Sequence, residues 1–146
     1  METYKAMKAR QQKEVNEFPF GFAFSDEQFE KMMKNWGLDH NSKEDLEKIS
    51  RTISGGFIQK KDIPAMKEMF QRHRMEREDA IVSDKTGEGY IYQMFLYELK
   101  NYEFGYTGDS DDVVEALDLT YEEIEANPAL KNGFEMAKNK IFSEEM

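Results

Sequence analysis

His40 and His73 are the only imidazoles in the chain, and no cysteine accompanies them. That inventory excludes a thiolate zinc site, a disulfide and a cysteine nucleophile. His40 stands in a polar turn, Asp39-His40-Asn41, while His73 lies between Arg72 and Arg74 with Glu76 as its one ligand-type neighbour a helical turn away. Metal sites gather histidine with cysteine or carboxylate at short spacing, so no metal is expected at either position. The expected role of His73 is that of a boundary side chain hydrogen-bonded through its ring nitrogens; its basic neighbours offer the alternative of holding a phosphate or carboxylate.

Other arrangements that could carry chemistry fail on spacing or charge. Gly87-Glu88-Gly89 precedes a helical stretch, but Glu88 stands where a phosphate would approach the helix start. Gly55-Gly56 runs into Phe57 and Ile58, without the Gly-Lys-Ser/Thr of a phosphate loop. Asp109-Ser110-Asp111-Asp112 alternates carboxylates as a calcium loop does, yet lacks that loop's glycine and closing glutamate, so helix capping is the better account. No Gly-x-Ser-x-Gly elbow is present. No catalytic residue and no cofactor is expected.

Charge separates the two halves. Residues 1–83 carry 15 acidic and 15 basic residues, whereas residues 84–146 carry 15 acidic and 5 basic, so the whole net charge of −10 lies in the second half. Between Glu98 and Glu125 ten acids face Lys100 alone. Such a field repels nucleic-acid phosphate and favours basic partners, although surface charge also serves solubility. Asp112 to Glu125 has the helix-break-helix pattern of a DNA reader, but its second helix, Tyr121-Glu-Glu-Ile-Glu-Ala, puts acids where phosphate contacts belong. Direct nucleic-acid binding is therefore not expected. The candidate site is an acidic and aromatic surface for a basic protein: Tyr102, Glu103, Tyr106, Asp109, Asp111, Asp112, Glu115, Glu122 and Glu123. The competing reading is a small enzyme or small-ligand binder with a site near His73 and the central carboxylates Glu98 or Glu103.

The elements that must position these residues surround Gly87 to Tyr106, the most apolar stretch. Ile91, Phe95 and Glu98 share one helical face, Tyr92, Leu96 and Leu99 a second, and Tyr90, Met94 and Tyr97 a third. A helix apolar on nearly all sides predicts burial, with its neighbours wrapped around it. A helix over 2–17 has a thin stripe of Tyr4, Met7 and Val15, so residues 1–17 are expected to dock loosely or exchange between chains, and homo-oligomers stay open. Its lysines and arginine have the pattern of a solvated face.

Phe18, Phe20, Phe22 and Phe24 alternate with small residues and predict an extended segment with four rings on one side. Ser25 with Gln28, Ser42 with Asp45, and Thr120 with Glu123 predict helix starts, and Gly37 a stop. The helix after Ser42 is expected to end near Ser50. Residues 51–60 predict a hairpin around Gly55-Gly56, joined by the Phe20–Phe24 segment or covered by a helix. Asp62 and Pro64 open a helix striped by Ile63, Met66, Phe70, His73 and Ile81, and Asn127-Pro128 opens the last, striped by Leu130, Phe134, Ala137 and Ile141. No run nears the roughly 20 apolar residues of a membrane helix, and no leader-like segment opens the chain; a cytoplasmic location is expected.

The succession Gly56-Phe-Ile-Gln-Lys-Lys-Asp62, Met69-Phe-Gln-Arg-His73, Gly87-Glu-Gly-Tyr-Ile-Tyr-Gln-Met-Phe-Leu-Tyr-Glu-Leu99 and Ala116-Leu-Asp-Leu-Thr-Tyr-Glu-Glu123 resembles a family of small uncharacterised proteins of Gram-positive gut bacteria and their mobile elements. The likeness begins at Phe22 and covers most of the chain. It implies no activity. Members of that family often carry His-Glu-Tyr where this chain has Tyr102-Glu103-Phe104, which weakens any proposal of a catalytic histidine there. The expectation is a mainly helical α+β single domain, 1–146, around a buried central helix with a small antiparallel hairpin or three-stranded sheet. Its expected function is that of an accessory or interaction protein, of phage or plasmid origin, rather than an enzyme.

Overall fold

The computed structural model describes residues 1–145. The fold is mainly helical α+β, with nine α-helices and one two-stranded antiparallel sheet among the described residues. The helices are α1 (Tyr4–Glu17), α2 (Asp26–Asn35), α3 (Lys43–Leu46), α4 (Ile63–Ser83), α5 (Tyr90–Asn101), α6 (Phe104–Thr107), α7 (Asp111–Ala116), α8 (Tyr121–Ala126) and α9 (Pro128–Glu145). The strands are β1 (Ile49–Arg51) and β2 (Phe57–Gln59). Contacts divide the chain into two compact units, one formed by Met1–Gln12 with the residues from Arg74 onward, the other by Lys13–His73.

The first unit is built around α5. Ile91, Phe95 and Leu99 are fully enclosed, Tyr90, Met94 and Glu98 nearly so, and Gln93, Tyr97 and Lys100 leave one edge open to solvent. Burial is therefore heaviest on two of its faces. Against α5 lies α9, where Phe134 meets Phe95 with ring centroids 4.8 Å apart. The approach is close because Gly133 faces α5: a Cβ there would come within 2.5 Å of Ile91 Cγ2 and 2.7 Å of the Gly87 carbonyl oxygen. Leu130, Phe134, Ala137 and Ile141 are all buried, as the stripe predicts. Tyr4 and Met7 of α1 join the same core, together with Val113, Val114 and Ile124 from α7 and α8.

The start of α5 is fixed by a residue that its local pattern does not advertise. Asp84, buried, accepts hydrogen bonds from the amides of Gly87 (3.0 Å), Gly89 (3.1 Å) and Ile91 (3.0 Å). A helix start leaves four amides without partners, and one carboxylate here takes two of the nearby donors as well as the turn before them. Gly87 is required at its position: its φ is +81°, and a Cβ would overlap the Ala129 carbonyl.

In the second unit Ser25 Oγ accepts from the Gln28 amide at 3.1 Å, and Gln28 Oε1 accepts from the Phe24 amide, one residue before the cap. Gly37 ends this helix at φ +73°. Helix α3 stops at Leu46 rather than near Ser50, because Ile49 and Ser50 pair with Gln59 and Ile58 in the sheet. The hairpin loop spans residues 52–56, closed by the Thr52 amide on the Gly56 carbonyl at 2.9 Å, and only Gly55 takes a positive φ. The Phe20–Phe24 segment contributes a single antiparallel bridge, Gly21 to Phe57, so the sheet stays two-stranded.

The four phenylalanines do not share a buried side. Phe18 and Phe20 are half-buried and their rings lie 4.9 Å apart, whereas Phe22 and Phe24 are exposed, Phe24 at 86%. What the bridge buries instead is the backbone of Gly21, pressed against Met32 and Trp36. Helix α4 follows a single 3₁₀ turn at Lys60–Asp62; no side-chain cap forms, and Met69 with His73 is its buried stripe while Phe70 stays 43% exposed.

Candidate functional site

All nine residues of the proposed acidic and aromatic surface are exposed. They fall into small local groups. Tyr121 of α8 donates its hydroxyl to Asp111 Oδ1 at 2.6 Å and lies 2.7 Å from Ser110 Oγ, while Asp109 Oδ1 accepts the Asp111 amide at 2.9 Å. Burial, then the bond to Asp111, raises the Tyr121 hydroxyl above the ordinary tyrosine range. Thr120 caps α8 by accepting the Glu123 amide at Oγ1, and its hydroxyl donates to Glu123 Oε1, each at 3.1 Å; the return bond goes to the hydroxyl, not to the backbone amide of a full capping box. Glu103 and Tyr106 line one shallow depression with Lys100 and Glu144, and Tyr102 and Glu123 line a different, deeper cleft.

Several of these acids have a structural reason to be where they are. Asp111 and Asp112 occupy the first turn of α7, and Glu122 and Glu123 that of α8, where the helix dipole favours negative charge. That account does not reach Asp109 or Glu115. Among the described residues no lysine, arginine or histidine lies within ion-pair distance of Asp109, Asp111, Asp112, Glu115, Glu122 or Glu123. Some acids elsewhere do find cations: Glu2 and Glu76 both meet Arg10 (3.0 and 2.6 Å), Glu14 meets Arg72 at 2.6 Å, and Glu125 meets Lys131 at 3.0 Å.

Glu103 has a left-handed backbone, φ 57°, at the turn between α5 and α6. A branched or long side chain there is disfavoured, which glycine or asparagine would avoid. Asp118 is left-handed for another reason: its amide bonds the Glu115 carbonyl and the Leu119 amide bonds the Val114 carbonyl, the double closure that ends a helix.

His73 is 2% exposed, and its Nε2 contacts Glu14 Oε1. The carboxylate that its basic neighbourhood attracts thus comes from the chain itself. Arg72 and, secondarily, the His73 ring hold the Glu14 carboxyl down to about 2. Arg74 turns to Glu78 at 3.1 Å. His40 is only loosely placed, 3.9 Å from both Glu30 and Asp39 carboxylate oxygens. No group of three or more His, Asp or Glu positioned for a metal ion occurs among the described residues.

Glu98 is the one acid of the central helix drawn fully inside, at 3% exposure. Its Oε2 accepts the Tyr4 hydroxyl and pairs with Lys8 Nζ at 2.7 Å; its Oε1 has only the Asn101 amide, at a long 3.4 Å. Burial first and the Glu98 bond second raise the Tyr4 hydroxyl above its usual range, and burial pushes Tyr90 up to about 12. The Tyr90 hydroxyl donates only to Met7 Sδ, at 3.6 Å, a weak acceptor. Lys8 and Arg10, expected on a solvated face, are therefore tied into the first unit, and Tyr4, Met7 and Gln11 of the same helix are buried.

These groups border a cleft of about 680 Å³. Tyr4, Met7 and Lys8 come from α1, Arg77 and Ile81 from α4, Tyr90, Met94 and Glu98 from α5, with Leu117, Asp118 and Leu119 from the connection between α7 and α8. The size lies in the range of small-molecule sites. Sequence reasoning named Glu98 but not the cleft, since the partners of Glu98 lie some 90 residues away.

Fold and site together define a small, acidic, mainly helical α+β protein with an exposed carboxylate surface and a tyrosine-lined cleft. The chain belongs to a family of unknown function, DUF7659, matched over residues 3–140. Neither a curated protein nor a solved structure matches it.

Proposed function

We propose that this protein is a small cytoplasmic accessory protein, of phage or plasmid origin in Gram-positive gut bacteria, that captures a basic protein partner through the acidic surface following α5. The observation that carries the reading is that Asp109, Asp111, Asp112, Glu115, Glu122 and Glu123 are exposed, with no cation in ion-pair reach among the described residues. Acids left wet and unpaired set up a negative potential that steers a basic surface and repels nucleic acid. One version of this reading is mimicry of nucleic-acid charge, by which the protein would inhibit a nucleic-acid-binding protein.

Lysine substitutions at Asp112, Glu115 and Glu122 test the reading, because these three carry charge without the hydrogen bonds that Asp111 and Glu123 make. Capture of a defined partner by the native protein and its loss in the reversed protein is the expected result, with unchanged circular dichroism. Equal capture by both would remove the charge mechanism.

A second reading, a small-ligand binder at the carboxylate of the central helix, has one observation in its favour: Glu98 lines a cleft of ligand size. His73 belongs to the other unit, where its contact is Glu14.

A further inference from the structure

We propose that the cleft beside Glu98 binds a small amphipathic organic cation, its ammonium or guanidinium group held by Glu98 and the surrounding tyrosines. The floor of the cleft supplies an anion that is almost out of water. A carboxylate has room for about four donors, and Glu98 Oε1 receives just the long bond from Asn101. An acceptor that is buried and under-used beside an open cleft is a place where a donor gains a charge-assisted bond in a low dielectric.

The chain already shows what this corner accepts. Lys8 Nζ sits 2.7 Å from Glu98 Oε2, 5.8 Å from the Tyr4 ring centroid and 5.1 Å from that of Tyr97. Of the two rings Tyr4 lines the cleft and Tyr97 does not, and a carboxylate beside an electron-rich ring face is the chemistry that recognises an organic cation. The Lys8 side chain remains 44% exposed, so its ammonium can withdraw to water when a competitor arrives.

The remaining charges of the cleft orient such a ligand. Arg74 is occupied by Glu78, and Arg77 donates to Gln11 Oε1 at 3.2 Å, which makes the α4 side the positive one. Asp118 and Glu123 stand on the α7–α8 side without a cation partner among the described residues. The cationic head therefore belongs with Glu98, Tyr102 and the α7–α8 acids, and the apolar body over Met7, Ile81, Met94 and Leu130. A free anion is the disfavoured occupant.

The cleft shares Tyr102 and Glu123 with the acidic surface, but the proposal rests on Glu98, and one experiment separates the two. The full chain is titrated with 3-phenylpropylammonium and, separately, with 3-phenylpropionate, which shares the apolar body and reverses the charge; amide shifts are followed by NMR. The expected result is saturable change at Glu98, Asn101, Tyr102 and Leu119 with the ammonium, and none with the carboxylate. Glu98→Gln is expected to weaken binding roughly tenfold, the value of one charge-assisted hydrogen bond. Should that variant fold poorly, Lys8→Met carries the test: with the internal competitor gone, binding tightens several-fold. The D112K/E115K/E122K protein keeps the ammonium whether or not it keeps a basic partner. Binding of the carboxylate in preference to the ammonium, absence of saturable binding by either, or Lys8→Met leaving the ammonium affinity unchanged or weaker would each overturn the proposal.

Discussion

Replacing Asp84 by alanine should be among the most damaging single changes outside the apolar core. Its carboxylate accepts from three amides at 3.0 to 3.1 Å, and the side chain is buried. A hydrogen bond to a charged group contributes about 1.5–3 kcal/mol, and a buried donor left without a partner costs about 1–3 kcal/mol. The three bonds share one acceptor group and are not additive, and water reaches the half-buried Gly89 amide more readily than the other two. The loss is thus roughly 3–5 kcal/mol, equivalent to about 10–16 °C in melting temperature for a chain of this size.

Asp84→Asn is the instructive companion, since its amide group puts a donor against one of the same N–H groups. It should lose roughly 2–3 kcal/mol despite its shape. Urea unfolding at neutral pH measures both, and hydrogen exchange at Gly87, Gly89 and Ile91 reports whether the loss is local to the start of α5. An alanine variant within about 1 kcal/mol of the native protein, with those amides still protected, would refute the assignment of Asp84 as the residue that fixes α5 and, through it, Glu98.

Three further outcomes follow from particular contacts. Because the folded Glu14 carboxyl sits at about 2 against an ordinary 4.5, its contribution to stability is complete above about pH 4.5 and is lost as pH falls toward 2; Glu14→Gln should flatten that part of a stability-versus-pH curve, and an identical curve would contradict the Arg72 and His73 pairing. Glu103→Gly should raise stability by roughly 0.5–1 kcal/mol, the relief of a left-handed residue less the entropy of glycine, as read by thermal melting; a loss of stability would argue against the strain. Gly133→Ala, with Ile91 and the Gly87 carbonyl in the way, should cost roughly 1–3 kcal/mol in urea unfolding, and a neutral result would mean that α9 and α5 do not approach as closely as described.

Much of the local structure was legible because its causes are local. Ser25, Ser42, Thr120 and Asn127 each bond an amide two or three residues on, so a short window of sequence contains the whole interaction. The stripe of α9 and the burial of α5 follow from helical periodicity in the same way. What could not be read depends on pairing across the fold. Tyr4 and Lys8 meet Glu98, and Arg72 and His73 meet Glu14, over separations of 58 to 94 residues that no pattern specifies. The alternating phenylalanines show the converse failure: period two was present, but the one bridge at Gly21 did not recruit Phe22 or Phe24 to a buried face. The nine residues of the candidate surface are all exposed, but the separation of Tyr102 and Glu123 from Glu103 and Tyr106 into different depressions depends on tertiary packing that no spacing in the sequence specifies.

The most direct test of the proposed function is the dissociation constant of a basic protein captured by the native protein, measured for the native protein and for D112K/E115K/E122K across a range of salt concentration. The account predicts that native affinity falls steeply as salt screens the exposed carboxylates, and that the reversed protein binds at least about tenfold more weakly at low salt. Equal affinities for the two proteins, insensitive to salt, would contradict it.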